Sequence, residues 1–280
     1  MSESTLHIVV GFSGAVLPVE EFELFDGATL SQTYLHFFTP HLAAIKEAPP
    51  GQPNPAPWTA VSDGAAADIR IQLLLQNDAP SSALLLAWRI VALLRLRTGL
   101  DLFSPVWGTI PFNQFDRGHN GRLFPLEVRG EYPPSDVALS IEDLRWVGAH
   151  LGSTTRLLEK SKFRNFLLLA DTAATTQSEV ERVVAAWAGI EALVGTVQET
   201  SRSVAMRIAA LVSPPGSERQ MTYTRMMSLY NTRSRIVHGD ISASAADANA
   251  ALRVARDVGV AIIELGTLPT GKELDRHIFV

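Results

Sequence analysis

The residues best placed to do chemistry are Arg233 and His238, which precede Gly239 and Asp240 near the end of an apolar and basic stretch. A neutral imidazole can take a proton from a hydroxyl, and a guanidinium can donate two hydrogen bonds to phosphoryl oxygens as negative charge builds on them. The spacing alone is a weak signal, because Arg145 and His150 repeat it. Context separates the two copies. Arg145 precedes Trp146 in the middle of an amphipathic stretch, whereas Arg233 has Leu229 and Tyr230 upstream, the polar Ser234 beside it and a His-Gly-Asp terminus. A basic residue and a histidine ahead of a glycine are also what helix C-capping and the helix dipole favour.

Other chemistries are narrowed by composition. With no cysteine there is no disulfide, thiolate metal site or cysteine nucleophile. The seven histidines are scattered, none in a metal-ligand spacing such as H-E-x-x-H, so neither a metal site nor a cofactor is expected. The segment Gly11-Phe-Ser-Gly14 is neither a Walker A loop nor a G-x-G-x-x-G turn, which argues against a nucleotide-binding enzyme in the N-terminal half. The formal net charge of −5 opposes a protein that coats nucleic acid with its whole surface. Charge is uneven, however: between Ser201 and Asp240 lie Arg202, Arg207, Arg219, Arg225, Arg233 and Arg235 against only Glu218 and Asp240. A local phosphate-binding face is compatible with that segment. No apolar run reaches the roughly 18 to 20 residues that span a bilayer. The residues Met1 to His7 lack a secretory pattern, so a cytoplasmic protein with no membrane partner is expected.

The elements that must position these residues fall into two sets. In residues 1–137, five short apolar or alternating runs read as strands: Leu6 to Phe12, Phe22 to Phe25, Ile69 to Leu75, Leu100 to Phe103 and Leu123 to Val128. One helix is expected from Ser81 to Thr98, and the proline-rich stretch Ala48 to Pro57 reads as a spacer. After Gly130-Glu-Tyr-Pro-Pro-Ser135 helical periodicity takes over, with helices expected over Ile141–Lys160, Phe163–Ala174, Ser178–Val194, Ser201–Val212, Ser217–His238 and Ala245–Leu268. Ser178 with Glu181 three residues later forms a capping-box pattern. The fold class is therefore α+β: a mixed α/β domain over 1–137 and an all-α bundle over 138–280.

Three blocks in that bundle carry a resemblance. "AAWAGIEALVG" from Ala185 to Gly195, "ETSRSVAMRIAALV" from Glu199 to Val212 and "MMSLYNTRSRIVHGD" from Met226 to Asp240 together resemble, in order, the Apea-like branch of the HEPN superfamily. The resemblance covers about 90 residues strongly. It implies that Glu191, Arg207, Arg233, Ser234, Arg235 and His238 belong to one functional region, with Arg233 and His238 as the catalytic pair and the others supporting it. It also implies a homodimer, because residues five apart on an ideal helix are rotated by about 140° and converge best through a second copy. In such a dimer His238 would deprotonate a ribose 2′-hydroxyl while Arg233 holds the adjacent phosphate, leaving 2′,3′-cyclic phosphate ends without metal. Ser234 departs from the Asn, Asp or His usual after the arginine in active nucleases of the superfamily. Two functions follow: a metal-independent ribonuclease or RNA- or nucleotide-binding protein of bacterial defence or toxin systems, or a non-catalytic dimerisation or adaptor module whose N-terminal domain binds an unknown partner or ligand.

Overall fold

Short apolar runs bounded by Gly, Pro and Asp pair readily into antiparallel ladders, and the first part of the chain does so. The computed structural model describes residues 7–45, 59–76, 79–115, 121–123, 137–195 and 201–278. Strands β1 (His7–Ser13), β2 (Glu21–Phe25), β3 (Ala28–Ile45), β4 (Thr59–Gln76), β5 (Phe103–Gly108) and β6 (Arg122–Leu123) form one antiparallel sheet in the order β2-β3-β4-β1-β5-β6. Central β1 is buried from Ile8 to Ser13, and one patch of core joins Val9, Ile69, Val106 and Phe112. Gly11 is needed there: a Cβ would come within 2.7 Å of Ile69 and 2.8 Å of Phe112. That close packing accounts for the first glycine of the Gly-Phe-Ser-Gly segment. The buried amide of Gln72 is used at both ends, donating to Ser31 Oγ at 3.0 Å and accepting from the Phe112 N–H at 2.8 Å. A buried amide left unpaired would cost about 1–3 kcal/mol.

Three strands differ from the sequence reading: β4, expected from Ile69, already starts at Thr59, and β3 and β5 depart as well. The run 28–45 was not expected as a strand, yet it pairs with β4 from Ala28↔Leu75 to Ile45↔Thr59. Its outward positions carry Tyr34 and Phe38, 62% and 55% exposed, so the polar alternation that signals a half-buried strand is blurred. The strand expected at Leu100–Phe103 begins instead at Phe103, because Gly99 turns the chain at φ +70° after the preceding helix. The proline-rich spacer, the 130–135 border and most of the run Leu123–Val128 lie outside the described residues.

Helix α1 (Pro80–Thr98) has neither Gly nor Pro after its first residue and runs as composition predicts. After it come α2 (Ile141–Leu157), α3 (Ser161–Thr175), α4 (Glu179–Val194), α5 (Ser201–Val212), α6 (Ser217–Val237), α7 (Ala245–Leu265) and α8 (Gly271–Ile278). Helix α8 was not expected. Its start is a reciprocal cap: the Thr270 N–H donates to Glu273 Oε2 at 2.7 Å and the Glu273 N–H to Thr270 Oγ1 at 3.3 Å. The chain is α+β, with every strand of the described residues on the N-terminal side of α2.

The chain divides into two compact units, residues 1–87 with 102–140 and residues 88–101 with 141–280. The second half of α1 thus goes with the helical unit, whereas the sequence reading kept the whole helix in the N-terminal domain. Its side chains give the reason. Trp88 Nε1 donates to Asp171 Oδ2 at 2.8 Å, Arg95 to Asp171 Oδ1 at 2.7 Å and Arg97 to Asp143 Oδ1 at 2.9 Å, all three acceptors lying on α2 or α3. Within the helical unit α3 and α4 form a hairpin, α7 packs on α3 and α4, and α5 pairs with α6 and α8. Trp187, Phe163, Phe166, Ile190 and Val258 are almost fully buried in its core.

Candidate functional site

Helix α4 starts where Ser178 accepts the Glu181 N–H at 3.3 Å, and its buried stripe carries Trp187, with half-buried Glu191 one turn later. The Glu181 carboxylate bonds to Thr176 Oγ1 at 2.6 Å, so only one half of the expected capping box carries over to this pair. Residues three and four apart share a helix face, which sets Trp187 and Glu191 of α4 opposite Tyr230 and Arg233 of α6. The rings of Trp187 and Tyr230 meet edge to face, centroids 5.3 Å apart at 81°. Tyr230 Oη donates to Glu191 Oε1 at 2.8 Å, and Arg233 Nη2 donates to Glu191 Oε2 at 3.1 Å. Arg233 also lies over the Tyr230 ring, its Cζ 5.5 Å from the centroid. Burial, reinforced by the hydrogen bond to Glu191, holds the Tyr230 hydroxyl above its usual value of 10.0. The Arg233 Nε is buried with no acceptor among the described residues.

The end of α6 has the geometry of a Schellman cap. Gly239 sits at φ +79°, its N–H donates to Ile236 O at 3.0 Å, and the Asp240 N–H reaches back to Arg235 O at 2.9 Å. His238 is the cap residue itself, at φ −82° and ψ −4°, its N–H donating to Ser234 O. Gly239 is thereby explained by backbone geometry alone. The His238 imidazole is exposed, as is Arg235, while Ser234 is half-buried. Because α6 stays regular to Val237, Arg233 and His238 remain about 140° apart around the axis and about 7.5 Å along it. One chain does not bring them together.

Of the residues grouped by the sequence, Glu191 and Arg233 are in contact, and Ser234, Arg235 and His238 follow along the same helix end. Arg207 lies elsewhere. Its Nε and Nη2 donate to the two carboxylate oxygens of Asp275 at 2.8 and 3.0 Å, and its Nη1 donates to Val194 O at 2.9 Å. It thus fastens α8 and the C-terminal end of α4 to α5. Tyr230, noted in the sequence as lying upstream of Arg233, is the missed member of the cluster. The signal was its three-residue spacing from Arg233. The other copy of the motif is split: Arg145 is exposed, and His150 stacks on Trp146 with centroids 4.6 Å apart. Among the described residues no three His, Asp or Glu are gathered as a metal site, and no helix is long and apolar enough to cross a membrane.

The fold and cluster define a class only in outline: an antiparallel sheet joined to a helical unit with an Arg–Glu–Tyr network at one helix interface. Comparison of the chain with protein-family models, with curated proteins and with solved structures finds no match.

Proposed function

We propose that the helical unit is an Apea-like HEPN domain that acts on RNA as a homodimer, cleaving it without metal in a bacterial defence or toxin setting. The observation that carries this reading is the way Arg233 is held. Glu191 and the Tyr230 ring fix the guanidinium while its Nε keeps an unmet hydrogen-bond donor, and a buried donor of that kind gains most from an anionic acceptor. His238 stands exposed at the end of the same helix, accessible to a substrate hydroxyl. A two-fold pairing of α6 ends would set His238 of one copy near Arg233 of the other, which a single helix cannot do. The 2′-oxygen then attacks phosphorus, its proton passes to His238, the P–O5′ bond breaks and the leaving oxygen takes up a proton. Arg235 adds positive charge beside the phosphate track.

The second reading is a non-catalytic dimerisation module whose N-terminal unit binds a partner. It is favoured by the Arg233–Glu191 pair, which already neutralises the cation, by Ser234, and by the capping role of the His238 backbone. Cleavage of a mixed pool of labelled RNAs in EDTA distinguishes the two. Cleavage that leaves cyclic-phosphate ends and vanishes in His238→Ala and Arg233→Ala at matched folding is the expected result. No cleavage, or cleavage unchanged in both variants, leaves the adaptor reading in its place.

A further inference from the structure

The last turn of α1, the middle of α3 and the first half of α7 enclose a cavity of about 240 Å³ within the helical unit. Alanines keep it open: Ala92 and Ala170 are 2% and 7% exposed, and with Leu96 and Leu167 they give it apolar walls. Three guanidiniums, Arg95, Arg253 and Arg256, line it against two carboxylates, Asp171 and Asp101. Asp171 is spent, because both its oxygens are taken by Arg95 and Trp88.

Two of the cations are fixed in advance. Arg95, its side chain only 3% exposed, is held by Asp171. Arg256 donates through Nε to Leu96 O at 3.2 Å and through Nη2 to Arg97 O at 3.0 Å, the carbonyls at the C-terminal end of α1. Gly99 makes room for it: at φ +70° a Cβ there would collide with the Arg256 guanidinium. These carbonyls carry only partial charge, and burial pulls the Arg256 guanidinium below its usual value, the mark of a desolvated cation. Arg253 and Asn249, one turn apart on α7, are exposed at the cavity. Apolar walls with a few fixed polar groups are the ordinary makeup of a small-molecule site. The volume admits on the order of ten to fifteen non-hydrogen atoms at protein packing density, which suits a small ligand and not a nucleic-acid strand.

We propose that this cavity binds a small organic anion with an apolar body, a carboxylate or a phosphate monoester, its charged head at Arg253 and Arg256 and its body against Leu96, Leu167 and Ala170. The site is independent of the Arg233–His238 end of α6.

Calorimetric titration of the full chain tests it with hexanoate, phenyl phosphate, inorganic phosphate and 1-hexanol. At least one of the two amphipathic anions is expected to bind saturably, and the tighter of them identifies the head group. Inorganic phosphate and 1-hexanol should each bind at least about tenfold more weakly than that anion, since each lacks one half of the recognition. Arg253→Ala, at an exposed position that leaves the core intact, should weaken the anion about tenfold. Ala174→Phe, which fills the cavity from α3, should abolish binding. Saturable binding by neither anion would overturn the proposal. So would 1-hexanol or inorganic phosphate binding as tightly as the preferred anion, or an affinity unchanged in Arg253→Ala.

Discussion

Arg207 and Arg233 belong to the same basic segment and each face a carboxylate, yet they are used differently. Arg207 spends three donor nitrogens at once, two on Asp275 and one on the Val194 carbonyl, and its side chain is 8% exposed. Arg233 makes one bond to a carboxylate it shares with Tyr230, keeps a buried Nε without an acceptor and is 21% exposed. The difference teaches that a count of arginines does not measure a binding surface. A guanidinium whose donors are met inside the protein has become a fastener, and only one with donors left over can serve a ligand.

The largest expected effect falls on the fastener. Arg207→Ala removes three hydrogen bonds and leaves the Val194 carbonyl unpaired, so denaturant unfolding should show a loss of about 2–4 kcal/mol. A loss below about 1 kcal/mol would put Arg207 on the footing of a surface residue. Glu191→Gln weakens a partly exposed pair and should cost about 1 kcal/mol in the same assay. If it costs as much as Arg207→Ala, the contrast between the two arginines fails.

The two pairs should also fail at opposite ends of the pH scale. Hydrogen bonding by Arg207 holds the Asp275 carboxyl below its ordinary 3.8, so the stability it contributes is present above that value and is lost as pH falls through the folded value. Asp275→Asn should flatten that acid limb of the stability profile. Tyr230 is shifted the other way: its stabilising effect is complete below pH 10.0 and is lost as pH rises through the higher folded value. Spectrophotometric titration should show one tyrosine ionising late, and Tyr230→Phe should remove that phase. The smallest effect on stability is expected at exposed His238, where the alanine variant should unfold within about 0.5 kcal/mol of the parent. A larger loss would mean that the imidazole holds the fold and is not free for a substrate.

Much of this was legible wherever local chemistry decides structure. Ser178 marks the start of α4, Gly239 follows the end of α6 in the left-handed region, and the long Gly- and Pro-free run after Pro80 gives α1, whereas Gly266 stops α7 at Leu265, three residues short of the Leu268 expected. Strand β3 was hidden because Tyr34 and Phe38 face outward and Pro40 interrupts the run, so its partner β4 is what makes it a strand. Helix α8 announced itself in Thr270 and Glu273, a capping box easily overlooked ahead of only eight residues. Arg207 was grouped with Glu191 because the resemblance implies it, and without α8 its partner Asp275 could not be found. The Glu191–Tyr230–Arg233 network was half visible: the residues stood at helical spacing, but which carboxylate met which arginine depended on how α4 and α6 pack.

The division of α1 bears on how such a chain can be inherited. The all-α part read from the sequence, 138–280, looks like a cassette that could be cut out and joined to another partner. The segment Trp88–Asp101 contradicts that, since it supplies the donors that satisfy Asp171 and Asp143 and the carbonyls that receive Arg256. A recombination that moved only the C-terminal stretch would leave Asp171 without its cation. The helical unit can be exchanged between proteins only with a piece of chain that lies inside the other half, so the two halves are expected to travel together.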